Sequence, residues 1–117
     1  MTTASGNPRL DGKVKVLKAL AHPARLLMAE ELERGERCVC ELQALVGLDM
    51  STVSKHLSLL KNAGVVADEK RGVKVFYRLT LPCFERFMGC VEEALEQSVR
   101  KQMEALGLGT ANERDAM

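Results

Sequence analysis

Cys38-Val39-Cys40 places two thiols one residue apart, a spacing whose chemistry depends on backbone conformation. In extended chain, residues i and i+2 point the same way, whereas on a helix they diverge by about 200°. Two thiolates on an extended or strained segment can therefore grip one soft, thiophilic ion. A helix starting at that point would also lower their pKa. The plainer reading is two small, half-buried residues at a helix start, and two cysteines fall short of the four ligands of a structural zinc site. Spacing alone leaves both readings open.

A second constellation is Met50-Ser51-Thr52-Val53-Ser54-Lys55-His56. Val53, Leu57 and Leu60 recur at i, i+4 and i+7 and belong to a core, so Met50, Ser51, Thr52, Ser54 and Lys55 face outward at the start of a helix. Short polar side chains there suit base edges and phosphates in a DNA major groove, and the helix dipole adds attraction for phosphate. Lys61, Arg71 and Lys74 are placed for backbone contacts, which supply affinity without sequence information. The alternative is a solvated amphipathic helix whose Ser and Thr merely favour helix starts. His56 reads as a structural histidine, since no second ligand lies at metal spacing nearby. Cys83 and Cys90 share one helix face with Phe87 and Ala94 and read as core or interface thiols. Cys83, in the first turn of its helix, is the more reactive of this candidate redox pair.

The elements that must position these residues are five helices and one hairpin. A first helix over about 10–20 carries Val14, Leu17 and Leu20, and His22-Pro23 breaks it. A second, about 23–34, buries Leu26, Leu27 and Leu32 and stops at Gly35. A short third, about 40–46, ends at Gly47, and Asp49 caps the fourth, which ends at Asn62-Ala63-Gly64. Two helices joined across Gly47-Leu48-Asp49 read as a helix-turn-helix. The period then changes to alternation from Val65-Val66 and along Val73, Val75, Tyr77 and Leu79, with a turn at Arg71-Gly72, giving a two-stranded wing. Thr80 can cap a last helix with Pro82 in its first turn. Phe84, Phe87, Met88, Val91, Leu95, Val99, Met103 and Leu106 form a long apolar stripe on it, which predicts a homodimer. The expected fold is mainly α with a small β hairpin: a winged helix-turn-helix over 10–106, between a disordered arm 1–9 and a flexible tail 107–117.

Composition bounds the rest. A chain of 117 residues, 46% apolar and 28% charged, is sized for one domain. No apolar run approaches the ~20 residues of a membrane helix, and MTTASGNPRL lacks the pattern of a secretory signal, so the expectation is a cytoplasmic protein with no membrane partner. Four cysteines are then expected to be reduced. Three aromatic phenylalanines, one Tyr and no Trp argue against base-stacking platforms. The net charge of +1 hides an uneven distribution: residues 51–80 hold six basic against two acidic side chains, whereas 81–117 hold four against seven. A basic middle is what a local anion-binding surface looks like. No redox Cys-x-x-Cys and no phosphate-cradling loop is present, so an enzyme is not expected.

Three stretches, ALAHPARLLMAEEL (19–32), ERCVCELQALVGLDMSTVSKHLSLLKNAG (36–64) and VVADEKRGVKVFYRL (65–79), resemble the ArsR/SmtB family of bacterial metal-responsive repressors. The likeness runs over about residues 13–80. It implies a homodimeric winged helix-turn-helix that binds double-stranded operator DNA when metal-free and releases it when metal binds. Within it, CVCEL (38–42) is similar to the arsenic/antimony-sensing motif, which implies Cys38 and Cys40 as ligands for As(III) or Sb(III) as inducer. Members of this type often carry another Cys where this chain has Gln43. The zinc-sensing Asp/His pattern of the last helix and the N-terminal cysteines of the cadmium/lead sensors are absent. Because a regular helix keeps the two thiols apart, arsenic binding is expected to unwind the start of the third helix and shift the fourth. Two alternatives stand beside this one: a repressor of the same fold responding to oxidants or sulfur species, and a small thiol metal-carrier with no operator.

Overall fold

The computed structural model describes residues 6–107, and the chain divides into two units, one running to Pro82 and the other beginning at Cys83. The first unit contains α1 (Pro8–Leu20), α2 (Pro23–Glu33), β1 (Arg37–Cys38), α3 (Val39–Val46), α4 (Met50–Asn62), β2 (Val66–Arg71) and β3 (Lys74–Leu79). The second contains α5 (Phe84–Ala105).

Local chemistry explains most of the boundaries. Asn7 accepts from the backbone N–H groups of Arg9 (2.9 Å) and Leu10 (3.2 Å), and Pro8 occupies the first helical position. The helix therefore starts inside the segment expected to be a disordered arm, of which residues 1–5 lie outside the described residues, as does most of the expected tail. His22 caps α2 by accepting the Ala24 N–H at 3.1 Å through its ring Nδ1. At the end of α3, Gly47 takes a left-handed φ of 72° and donates its N–H to Gln43 O at 2.9 Å. Gln43 closes the same turn, its side-chain amide donating to Leu48 O at 3.2 Å. The reversal between α3 and α4 is held at both ends.

The core of this unit is built on one face of α4. Val53, Leu57 and Leu60 are fully buried, as the i, i+4, i+7 spacing predicts, and Leu42, Met28, Ala29 and Leu32 are buried with them. Leu27 departs from expectation: it is 42% exposed, because Met28 and Ala29 occupy the inward face of α2 instead. Val14 and Leu17 are also exposed, and only Ala19 and Leu20 of α1 are buried.

The sheet holds three strands rather than two, in the order β1-β3-β2 and antiparallel throughout. The hairpin pairs Val66 with Leu79 and Arg71 with Lys74, and Gly72 turns it with φ +65°. The extra strand pairs Arg37 with Tyr77 and Cys38 with Phe76. Two residues carry no periodicity, so β1 left no sequence signal. Thr80 does not cap the last helix. Its hydroxyl donates to Gly64 O at 2.8 Å and its N–H to Val65 O at 2.8 Å, tying the end of β3 to the α4–β2 connection. Cys83 takes the cap position of α5 in its place.

Both histidines of the chain meet where α2 starts against α4. The His22 and His56 rings lie 4.4 Å apart, tilted by 46°. Arg25 Nη1 reaches His56 Nδ1 at 3.1 Å, so that nitrogen accepts and His56 is neutral. The His56 pKa is lowered first by burial, then by His22 and by Arg25. A base whose folded pKa lies below its unfolded value stabilises the fold fully above the unfolded pKa, and that stability falls as pH drops through it.

Two measurements check this architecture. Gly47→Ala adds a Cβ that meets no atom, so its cost is the left-handed backbone alone, about 1–2 kcal/mol in urea unfolding. Stability falls between about pH 7.5 and pH 5, and His56→Gln flattens that slope while leaving the two-state transition intact. An unchanged slope in the variant would remove His56 as its source.

Candidate functional site

Cys38 is both the last residue of β1 and the N-cap of α3, with extended backbone at φ −82° and ψ 160°. Cys40 sits two residues further on, inside the first turn of α3. The extended link lets the two side chains converge, and Cys38 Sγ and Cys40 Sγ lie 3.4 Å apart. The expectation that α3 must unwind before the sulfurs meet is therefore corrected. The strand end already supplies the geometry that a regular helix would deny.

Glu41 fixes the arrangement. Its carboxylate accepts the Cys38 N–H at 2.8 Å, while the Cys38 sulfur takes the reciprocal place opposite the Glu41 N–H, a capping box with sulfur as one acceptor. That backbone hydrogen bond is the main reason the Glu41 pKa is lowered. Cys38 is buried and Cys40 exposed. The Cys40 thiol is pushed up, first by its hydrogen bond to Cys38 and next by the charge on Cys38, while Lys74 pulls it back down. Gln43 points away, toward Leu48. Among the described residues no group of three or more His, Cys, Asp or Glu side chains could hold a metal ion. The chain thus offers two sulfurs here, one sheltered and one open to solvent.

The outward face of α4 is divided. Ser51 Oγ donates to Asp49 Oδ2 at 2.6 Å, and the Thr52 hydroxyl donates to Asp49 Oδ1. These bonds, Ser51 first, hold the Asp49 carboxyl down at about 2. A carboxylate thus sits at the positive end of the helix dipole, where phosphate attraction was expected, and occupies both hydroxyls. Ser54 and Lys55 are exposed and make no hydrogen bond or ion pair among the described residues, and Met50 is exposed beside them.

Three basic residues in and around the wing are also engaged. Lys61 pairs with Asp68 at 3.0 Å. Arg71 holds Glu36 through two nitrogens, at 2.9 and 2.7 Å, bonds Glu69 at 2.9 Å, and lies 4.7 Å over the Phe76 ring. Arg37, next to Cys38, pairs with Glu31 at 2.9 Å. Lys74 is exposed and close enough to Cys40 to act on its charge. The wing is therefore tied to the segment that carries the cysteines by β1–β3 pairing and by the Arg71–Glu36 clamp.

Cys83 and Cys90 are both exposed rather than core residues, and Arg86 Nη2 donates to Cys83 Sγ at 3.3 Å. Glu41 was within reach of sequence reasoning, since it follows Cys38 at capping-box spacing. Glu36, Arg25 and β1 had no such signal, because their partners lie far along the chain.

Residues 22–68 match the family model described as bacterial regulatory protein, arsR family. The biofilm growth-associated repressor of Xylella fastidiosa is 35% identical over 80 residues, which are 68% of this chain and 70% of the relative. The arsenic resistance transcriptional regulator ArsR1 of Pseudomonas putida is 42% identical over 65 residues, 55% of this chain. The matched stretch spans about half the length of several such curated relatives, 51% of ArsR1. A homodimeric winged helix-turn-helix DNA-binding domain from Mycobacterium bovis, a possible ArsR-family transcriptional regulator, superposes with a TM-score of 0.72 at 27% identity, over 86% of this chain and 93% of that one. With a helix-turn-helix at α3–α4 and a wing at β2–β3, this chain is a winged helix-turn-helix protein and belongs to the ArsR family of bacterial regulatory proteins.

Proposed function

We propose that this chain is a homodimeric DNA-binding repressor that leaves its operator when As(III) or Sb(III) joins Cys38 to Cys40. The observation that carries this reading is the 3.4 Å separation of two sulfurs, one of them on Cys38, which is also part of the wing sheet. Two convergent thiols, with no third protein ligand grouped beside them among the described residues, suit a thiophilic centre that few sulfurs can hold. Arsenious acid would exchange two hydroxyl groups for the two thiols and release two waters. Its third position keeps a hydroxyl or takes an outside thiol, in place of the side chain missing at Gln43. The likeness to ArsR1 of P. putida supports the choice of ion.

DNA contact falls to α4 and the wing. Ser54, Lys55 and Met50 are the side chains left free to meet base edges and phosphates. Lys74 holds no ion pair among the described residues and reaches phosphate directly, whereas Arg71 and Lys61 do so by exchanging their present partners. The α5 stripe of Phe87, Val91, Leu95, Val99 and Met103 is exposed, with Leu95 at 61%, and is the surface a second copy would bury. Two copies then set two recognition helices about one DNA turn apart, ~34 Å. An ion held by Cys38 acts on a residue of the wing sheet, and the β1–β3 pairing passes the change to the wing. Release needs only about 1–3 kcal/mol of such coupling. A second reading rests on the same contact: sulfurs 3.4 Å apart, one of them exposed, are also placed to lose two hydrogens to an oxidant and join as a disulfide.

Fluorescence anisotropy with promoter DNA separates these. Arsenite weakens binding about 5–150-fold in the wild type. Cys38→Ser and Cys40→Ser bind DNA as before and do not respond to arsenite. Release by peroxide without arsenite, with loss of two hydrogens by mass, selects the redox reading instead, and arsenite release from Cys38→Ser at wild-type concentration overturns the site. Lys55→Gln weakens DNA binding about equally across sequences and lowers the salt slope by about one, whereas Ser54→Ala changes discrimination between operators.

A further inference from the structure

On the first unit, α1, the start of α2 and the last turn of α4 enclose a groove of about 450 Å³. Lys15, Lys18, Arg25 and Asn62 line it, over a floor that includes Ala19 and Leu59. No carboxylate is among its lining residues. Lys15, Lys18 and Arg25 take part in none of the ion pairs found among the described residues, whereas Arg37, Lys61 and Arg71 each hold an acidic partner. The guanidinium of Arg25 is fixed: Nε donates to Ala19 O at 2.6 Å, Nη2 to Lys18 O at 3.5 Å, and Nη1 meets His56 at 3.1 Å. A half-buried, immobilised cation beside two lysines, with no local anion, concentrates positive potential in a concave space. Its volume falls in the range of small-molecule sites, about 300–1,000 Å³.

We propose that this groove binds a small organic anion: a phosphate or carboxylate head held by Lys15, Lys18 and Arg25, with a short apolar body against Ala19 and Leu59. The Asn62 amide supplies a neutral hydrogen bond at the rim. Because Leu59 and Asn62 of α4 line the groove and Arg25 bonds His56, an anion seated here touches the helix that carries Ser54 and Lys55. The inference does not depend on arsenic sensing, since none of its residues belongs to the cysteine site.

The probe is phenyl phosphate, titrated into the full chain and followed by amide chemical shifts, with inorganic phosphate and phenol as controls. Phenyl phosphate binds saturably and at least about tenfold more tightly than either control, with shifts in α1 and the last turn of α4. Phenyl phosphonate and benzoate compete, in an order that tells a phosphate preference from a carboxylate one. Lys15→Gln/Lys18→Gln, both exposed positions, keeps its melting temperature and loses at least about tenfold in affinity. Absence of saturable binding, equal binding by phenol, or undiminished binding by the double variant each overturns the proposal. So does a double variant that loses only DNA affinity and salt slope, which would make the two lysines contacts for the duplex backbone.

Discussion

Cys38 has to end a strand and begin a helix at once, and the rest of the candidate sensor depends on that double duty. As a strand residue it pairs with Phe76 of the wing, and as a helix cap it is braced by Glu41. Had β1 not formed, residues 38–40 could have continued the helix, and the sulfurs would have diverged. Backbone pairing thus makes the two thiols neighbours, and the same pairing makes them part of the sheet that carries the wing. Contact with the sulfurs and contact with the wing are mechanically one segment.

Charge is distributed with the same economy. The basic character of residues 51–80 is real in count, yet Lys61 and Arg71 spend it on Asp68, Glu36 and Glu69. A single exposed pair such as Lys61–Asp68 is weak in water, so a phosphate can displace the carboxylate at little cost. Such pairs fix the direction of the side chains without holding them irreversibly. Asp49 acts in the opposite sense, placing a negative charge where a helix N-terminus would otherwise attract any phosphate. That arrangement disfavours indiscriminate backbone binding and leaves Ser54 and Lys55 as the open part of the helix face.

At the other side of α4, Arg25 bridges the carbonyl end of α1 and the ring of His56. The two histidines that meet there, their rings tilted against each other, connect the α1–α2 corner to α4. The α4 helix is therefore held from two directions, by the turn at Gly47 on the cysteine side and by Arg25 and His56 on the other.

The sequence by itself determined the order of the helices, the buried face of α4 at Val53, Leu57 and Leu60, the hairpin with its turn within one residue (Gly72-Val73 rather than Arg71-Gly72) and the apolar stripe of α5, because each is written in residues a few positions apart. The family resemblance rested on the same contiguous stretches. Only the tertiary structure decided that Cys38 lies in a strand, that its sulfur meets Cys40, that Leu27 faces out, and that Thr80 ties back to Gly64 instead of capping α5. It also decided which cations are already paired: Glu36 and Arg71 lie 35 residues apart, and Arg25 and His56 lie 31 apart. Periodicity reports what a side chain shares with its own helix or strand. Strand partners, ion pairs and ring contacts are chosen by what the rest of the chain brings alongside, and no local pattern encodes that choice.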